Sequence, residues 1–199
     1  MTREKEVRVR PVSEVRAITA EDGSRQIEGY AIRFNEPSED LGGFIEYIAP
    51  GAVKLAPDMR AFFDHQSQYV LGRTSAGTLE TRVDDDGVFM LATPPDTQWA
   101  RDLMVSMERG DINAMSFGFY ANADAWSKRD GQTVRTVTDA DVFEVSVVAM
   151  PAYPTTSAAA RSMAATLEDT PPSGEPEEVA DDDADAGRDG CRTPVHMTA

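Results

Sequence analysis

Cysteine, histidine and basic residues are all scarce in this chain of 199 residues. The one cysteine, Cys191, excludes a disulfide within the chain and fits a reducing compartment. The two histidines, His65 and His196, lie far apart and give no zinc-ligand spacing, so no metal is expected. Lys and Arg number 19 against 35 Asp and Glu, a formal net charge of -16. That balance argues against a nucleic-acid partner, because phosphate binding needs clustered Lys and Arg. No apolar run approaches the ~20 residues that span a bilayer, so no membrane partner is expected. The opening MTREKEVRVR has no apolar stretch of the kind a secretory signal carries. Neither G-x-x-x-x-G-K-[ST] nor G-x-G-x-x-G occurs, and no cofactor is expected. The absence of a G-x-S-x-G elbow argues against an α/β-hydrolase. The chain reads as soluble and intracellular.

What is present falls into three regions. Residues 1 to about 155 carry periodic apolar residues and regular turn signals. Residues 156–168 are Ala-rich and suit a short helix. Residues 169–199 are rich in Pro, Gly and Asp and poor in apolar residues. They bury too little surface to offset ordering entropy and read as disordered. Residues 164–199 hold ten Asp or Glu and two Arg, so half of the excess charge sits at this end. The expected division is a domain over 1–160 and a tail over 161–199.

Strands dominate the first region. Val7, Val9 and the run Val15–Ile18 suggest an opening strand. The alternating IEGYAIRF (27–34) ends at Asn35-Glu36-Pro37. TLETRV (78–83) and GVFMLAT (87–93) flank Asp84-Asp85-Asp86-Gly87, a hairpin signal. AMSFGFY (114–120) and DVFEVSVVAM (141–150) are two further strands. One helix is expected over 97–110, with Trp99, Leu103 and Met107 on one face beside Ala100 and Met104. Asp96 or Thr97 can cap its start, and Gly110 can end it. A single convincing helix among about seven strands predicts an α+β fold, mainly a β-barrel or strongly curved sheet with peripheral helices.

Ser116 stands among Met115, Phe117 and Phe119. Strand alternation puts Ser116, Gly118 and Tyr120 on one face and the apolar trio on the other. Ser116 is then either a small residue relieving crowding or a nucleophile on a rigid strand, with Gly118 leaving room for a substrate backbone. The same alternation puts Val142, Glu144, Ser146 and Val148 on one face of their strand, and Phe143, Val145 and Val147 on the other. A carboxylate in so apolar a strand wants a partner, unless it faces solvent on an edge. His65 is either a surface histidine near a turn or a general base. Glu144 could orient His65, and His65 could take the proton of Ser116. Ser146 is a rival nucleophile without a neighbouring glycine. His196 lies in the acidic tail and is set aside.

Five stretches together give the chain a resemblance. They are IEGYAIRFNEPS (27–38), GGFIEYIAPGA (42–52), RAFFDHQSQYVLGRTSAGTL (60–79), ARDLMVSMERGDINAMSFGF (100–119) and VFEVSVVAMPAYPTT (142–156). In these the chain resembles the prohead proteases of tailed bacteriophages, capsid maturation proteases with an assemblin-like fold shared with herpesvirus maturation proteases. The resemblance implies a serine peptidase. Its histidine motif falls on His65 and its serine before Phe-Gly-Phe on Ser116. By motif position the third member is Glu144, where the herpesvirus enzymes use a histidine. Asp64-His65-Gln66 departs from the expected Asn-His-Asp. The resemblance further implies packaging inside the immature capsid, removal of a scaffolding segment from the major capsid protein, and self-cleavage. Homo-oligomerisation and absence from the mature virion are expectations of the same kind. The alternative is a non-enzymatic capsid-assembly scaffold that uses the same β-domain and tail.

Overall fold

The computed structural model describes residues 4–11, 15–149 and 164. Two compact units, Met1–Asp169 and Thr170–Ala199, divide the chain, and all described residues belong to the first. The expected acidic tail and most of the Ala-rich helix lie outside the described residues. In chain order the elements are β1 (Glu6–Pro11), β2 (Arg16–Thr19), β3 (Arg25–Arg33), β4 (Phe44–Ile48), β5 (Val53–Phe63) and β6 (Gln66–Arg73). They continue with β7 (Leu79–Val83), β8 (Gly87–Ala92), α1 (Gln98–Glu108), β9 (Ala114–Arg129) and β10 (Gln132–Val148). A 3₁₀ turn, Thr74–Ala76, follows β6. The architecture is mostly β, with one strongly curled half-barrel sheet and one α-helix among the described residues.

The larger sheet runs β1-β9-β10-β5-β6, with β4 also paired to β10. β9 and β10 form a long hairpin closed at Asp130-Gly131, both at positive φ (52° and 80°). Asp-Gly suits this two-residue turn because Asp tolerates, and Gly favours, left-handed backbone. Along its other edge β10 pairs in parallel first with β4 and then with β5. Register shifts break both of its ladders between Val142 and Glu144. Such bulges bend and twist a strand, which helps this sheet to curl. Pro57 lies between the β5 positions paired to β10, where its missing N–H costs no ladder bond.

The smaller sheet, β2-β3-β8-β7, is antiparallel throughout. Ile27, Ile32, Val88 and Met90 of this sheet join Met115, Phe117, Phe119, Val145 and Val147 of the larger one in a single apolar core. Each such fully buried side chain contributes about 1.5–3 kcal/mol. Ala100, Leu103, Met104 and Met107 of α1 are buried, as the apolar spacing predicts, and Trp99 is partly so. Gly110 at φ 80° closes the helix: its N–H donates to Met107 O, and Asp111 N–H donates to Ser106 O. Thr97 sits at the N-cap but makes no capping bond. Among the described residues no helix is long and apolar enough to cross a membrane.

Candidate active site

His65 sits at the tip of the β5–β6 hairpin. Phe63 pairs with Gln66, leaving Asp64 and His65 as a two-residue turn with φ of 51° and 58°. Both residue types are among those that tolerate left-handed backbone, although it favours glycine. Asp64 locks the turn. Its N–H donates to Val147 O at 2.9 Å, and its Oδ1 accepts from Ala149 N–H at 2.9 Å. The imidazole is therefore presented from a clamped turn over the end of β10. The departure from Asn-His-Asp still gives His65 a hydrogen-bonded neighbour at position 64.

Ser116 and Glu144 come from the paired strands β9 and β10, where Ser116 faces Ser146 and Gly118 faces Glu144. The bulge at Phe143 resets the alternation expected from the sequence. Val142 pairs with Phe119 and joins the core, while Phe143 leaves the core face and stacks with Tyr120 at 5.0 Å. Glu144 and Ser146 then fall on the face of Ser116. Gly118 has a different use from the one its sequence position suggests. A Cβ there would come within 2.8 Å of Glu144 Cγ, Glu144 Oε1 and a Phe143 ring carbon. The glycine makes room for the carboxylate, against which any larger residue would clash.

The three side chains form one hydrogen-bonded chain. His65 Nε2 lies 2.7 Å from Ser116 Oγ, and His65 Nδ1 lies 2.9 Å from Glu144 Oε1. Ser146 Oγ is 3.2 Å from the same Nδ1. Burial pushes the Glu144 carboxyl up, but the hydrogen bond from His65 and the charge of Lys5 outweigh it and hold the group below its ordinary value. Glu144 is then ionised at neutral pH and can only accept. Nδ1 becomes the donor toward it, which leaves the Nε2 lone pair facing the Ser116 hydroxyl. An arrangement of this kind can move the Ser116 proton to the imidazole while the carboxylate balances the cation that forms.

Sequence reasoning missed several residues here. Lys5 Nζ lies 3.2 Å from Glu144 Oε1 and 4.9 Å from the Phe143 ring centroid. Arg8 O accepts a hydrogen bond from Ser116 Oγ at 2.8 Å. No motif marks these contacts, which span more than a hundred residues. The Asp64 clamp was closer to legible, since Asp is at home in a left-handed turn. The stretch 150–154, expected to supply an oxyanion donor, and His196 lie outside the described residues. Ala149 N–H, just before that stretch, is committed to Asp64.

A second polar group lies on the opposite face of the same sheet. Glu46 accepts from Arg8 Nε at 2.7 Å and Nη2 at 2.9 Å, and from Arg135 Nη1 at 2.8 Å. Arg135 also bonds Glu6 at 2.8 and 3.1 Å and Asp124 at 2.7 Å, while Arg8 Nη2 bonds Glu6 as well. The side chains of Glu6, Arg8, Glu46 and Arg135 are nearly inaccessible, at most 4% exposed. Burial raises the Glu6 carboxyl, but Arg135 and Arg8 overcome this and hold it below its ordinary value.

A family model described as Caudovirus prohead serine protease matches residues 12–169, and all three members of the hydrogen-bonded chain fall within it. No curated protein and no solved structure matches the chain.

Proposed function

Since the chain belongs to the caudovirus prohead serine protease family, we propose that it cuts peptide bonds by acyl transfer at Ser116, with His65 as base and Glu144 as its anchor. The observation that carries this reading is the unbroken chain Ser116 Oγ–His65 Nε2–His65 Nδ1–Glu144 Oε1, with links of 2.7 and 2.9 Å. Those distances lie within the range a nucleophile and its base require. Ser116 Oγ attacks the scissile carbonyl as its proton passes to Nε2. The resulting imidazolium gives that proton to the leaving amine, and the peptide breaks to an acyl-enzyme. Water, deprotonated by His65, then releases the acyl group. Glu144 stabilises the imidazolium and holds the ring in the tautomer that accepts from serine.

The substrates follow the family's role in the prohead. They are the scaffolding segment of the major capsid protein and the protease's own chain, cut inside the immature shell. Self-cleavage is expected near residues 157–175, at the approach to the acidic tail of residues 169–199. The test is co-expression with the capsid protein, read by intact mass. Wild type removes a defined terminal segment and shortens itself; Ser116→Ala leaves both chains whole. A capsid protein trimmed equally by both would move the nucleophile elsewhere. A full-length mass with both would favour the non-enzymatic scaffold.

A further inference from the structure

We propose that the edge of β9 beside Ser116 is the docking strand for an extended peptide, and that β1 occupies it as an internal competitor that keeps the nucleophile closed. This rests on the reading of Ser116 as nucleophile. Ser116 is fully buried, yet attack requires a carbonyl carbon about 3–3.5 Å from Oγ. Something must move first, and β1 is the element that pairs beside Ser116 and accepts its hydroxyl proton.

Three contacts make the case. First, β1 pairs antiparallel with β9 so that Val9 faces Ser116 and Val7 faces Gly118. Opposed residues share a face, so both valines flank the hydrogen-bonded chain. Second, Arg8 O takes a hydrogen bond from Ser116 Oγ at 2.8 Å, while His65 Nε2 waits at 2.7 Å. A serine hydroxyl has one proton. A proton held by Arg8 O is withheld from the base, and a carbonyl oxygen has no donor to offer an oxyanion. Third, Lys5 Nζ contacts the same Glu144 oxygen that His65 Nδ1 uses. The segment of eight residues that ends at Pro11 thus touches both ends of the proposed relay.

The opposite face of β1 sets its register. Glu6 and Arg8 are clasped by Glu46 and Arg135. Buried ion pairs add little net stability but penalise a slipped register, and a slip would take Arg8 O away from Ser116. β1 is also an edge strand, so another strand can replace it without breaking any interior pairing. The family match begins at residue 12, after β1 has ended. A peptide in the place of β1 would put small or β-branched side chains where Val7 and Val9 lie. At the alternate positions it would meet Glu46 and Arg135, which favours charged residues there.

The test uses the full chain and a fluorophosphonate, which forms an Oγ–P bond and expels fluoride as His65 takes the serine proton. The double variant Val7→Pro, Val9→Pro weakens β1. Its Ser116 should label at least tenfold faster than wild type, and a synthetic EKEVRVRP peptide should slow it again. Equal rates in the two chains overturn the competitor while leaving Ser116 as nucleophile. No labelling of a folded variant overturns both. Should the variant not fold, hydrogen exchange on wild type decides: β1 amides should exchange at least a hundredfold faster than those of Val145–Val147. Equal protection, meaning that β1 opens only when the whole sheet does, overturns the proposal.

Discussion

The curled sheet carries two polar clusters on its two faces, and they are built differently. The chain of Ser116, His65 and Glu144 is thinly connected, and it opens to solvent at His65, whose side chain is 23% exposed. The group of Glu6, Arg8, Glu46 and Arg135 is saturated, closed and nearly inaccessible. Both are buried enough to strengthen electrostatic interactions. In the first, a single proton has two acceptors within reach, Arg8 O and His65 Nε2. In the second, each carboxylate of the buried pair meets two guanidinium groups. A relay needs a proton with somewhere to go; a clasp needs none.

The contrast predicts that the first cluster governs rate and the second governs stability. The largest effect should come from His65→Ala, which removes the proposed base and should cut peptide cleavage by ~10⁴-fold with little change in melting temperature. A variant that retained near-wild-type turnover would end the comparison. Next, Arg135→Met strands Glu6, Glu46 and Asp124 beside fewer cations and should cost about 3–5 kcal/mol in a urea titration. A neutral result would mean that the clasp is dispensable. Third, Gly118→Ala pushes on the Glu144 carboxylate and should lower kcat by about 10²-fold. The urea midpoint should move far less than in Arg135→Met; a rate left unchanged would show that Glu144 can shift at no cost.

The smallest effect is on acid stability. Glu6 and Glu144 are both held below their ordinary values in the fold. Their stabilisation is therefore present above the unfolded value, about 4.3, and lost as pH falls through the lowered native values. Each contributes a slope of up to about 1.4 kcal/mol per pH unit in that window. Glu6→Gln should be less stable at neutral pH yet flatter below pH 4.5 in denaturant midpoints, and an unchanged acid slope would remove Glu6 from the account.

Much of the local structure was legible. The α1 face, the Gly110 stop and the β7–β8 hairpin follow from spacing and turn chemistry. Ser116 and Glu144 could be singled out because each is polar in an apolar strand, and His65 because histidine is scarce and is the usual general base. Other features were not legible. The sequence pattern marks no strand for β4, β5 or β6, and the single opening strand expected from Val7 to Ile18 is two strands, β1 and β2, in separate sheets. Asp130-Gly131 extends β9 and β10 well beyond their apolar stretches, because exposed residues such as Asn122 and Asp124 carry no period-2 signal. The bulge at Phe143 hides in a run that alternates plausibly without it. The four-residue clasp joins β1, β4 and β10, whose residues share no motif.

By itself the sequence determined a mostly β domain with one amphipathic helix, and it marked the three residues that carry the proposed chemistry. Periodicity and turn residues act over a few positions, so they can be read along the chain. Only the tertiary structure decided that Gly118 makes way for Glu144, that Asp64 clamps the histidine turn, and that β1 pairs alongside Ser116. Those outcomes depend on which strands pair and in what register. Register is fixed by contacts between residues far apart in the chain, such as Arg8 with Glu46 and Val9 with Ser116, and local pattern carries no record of them.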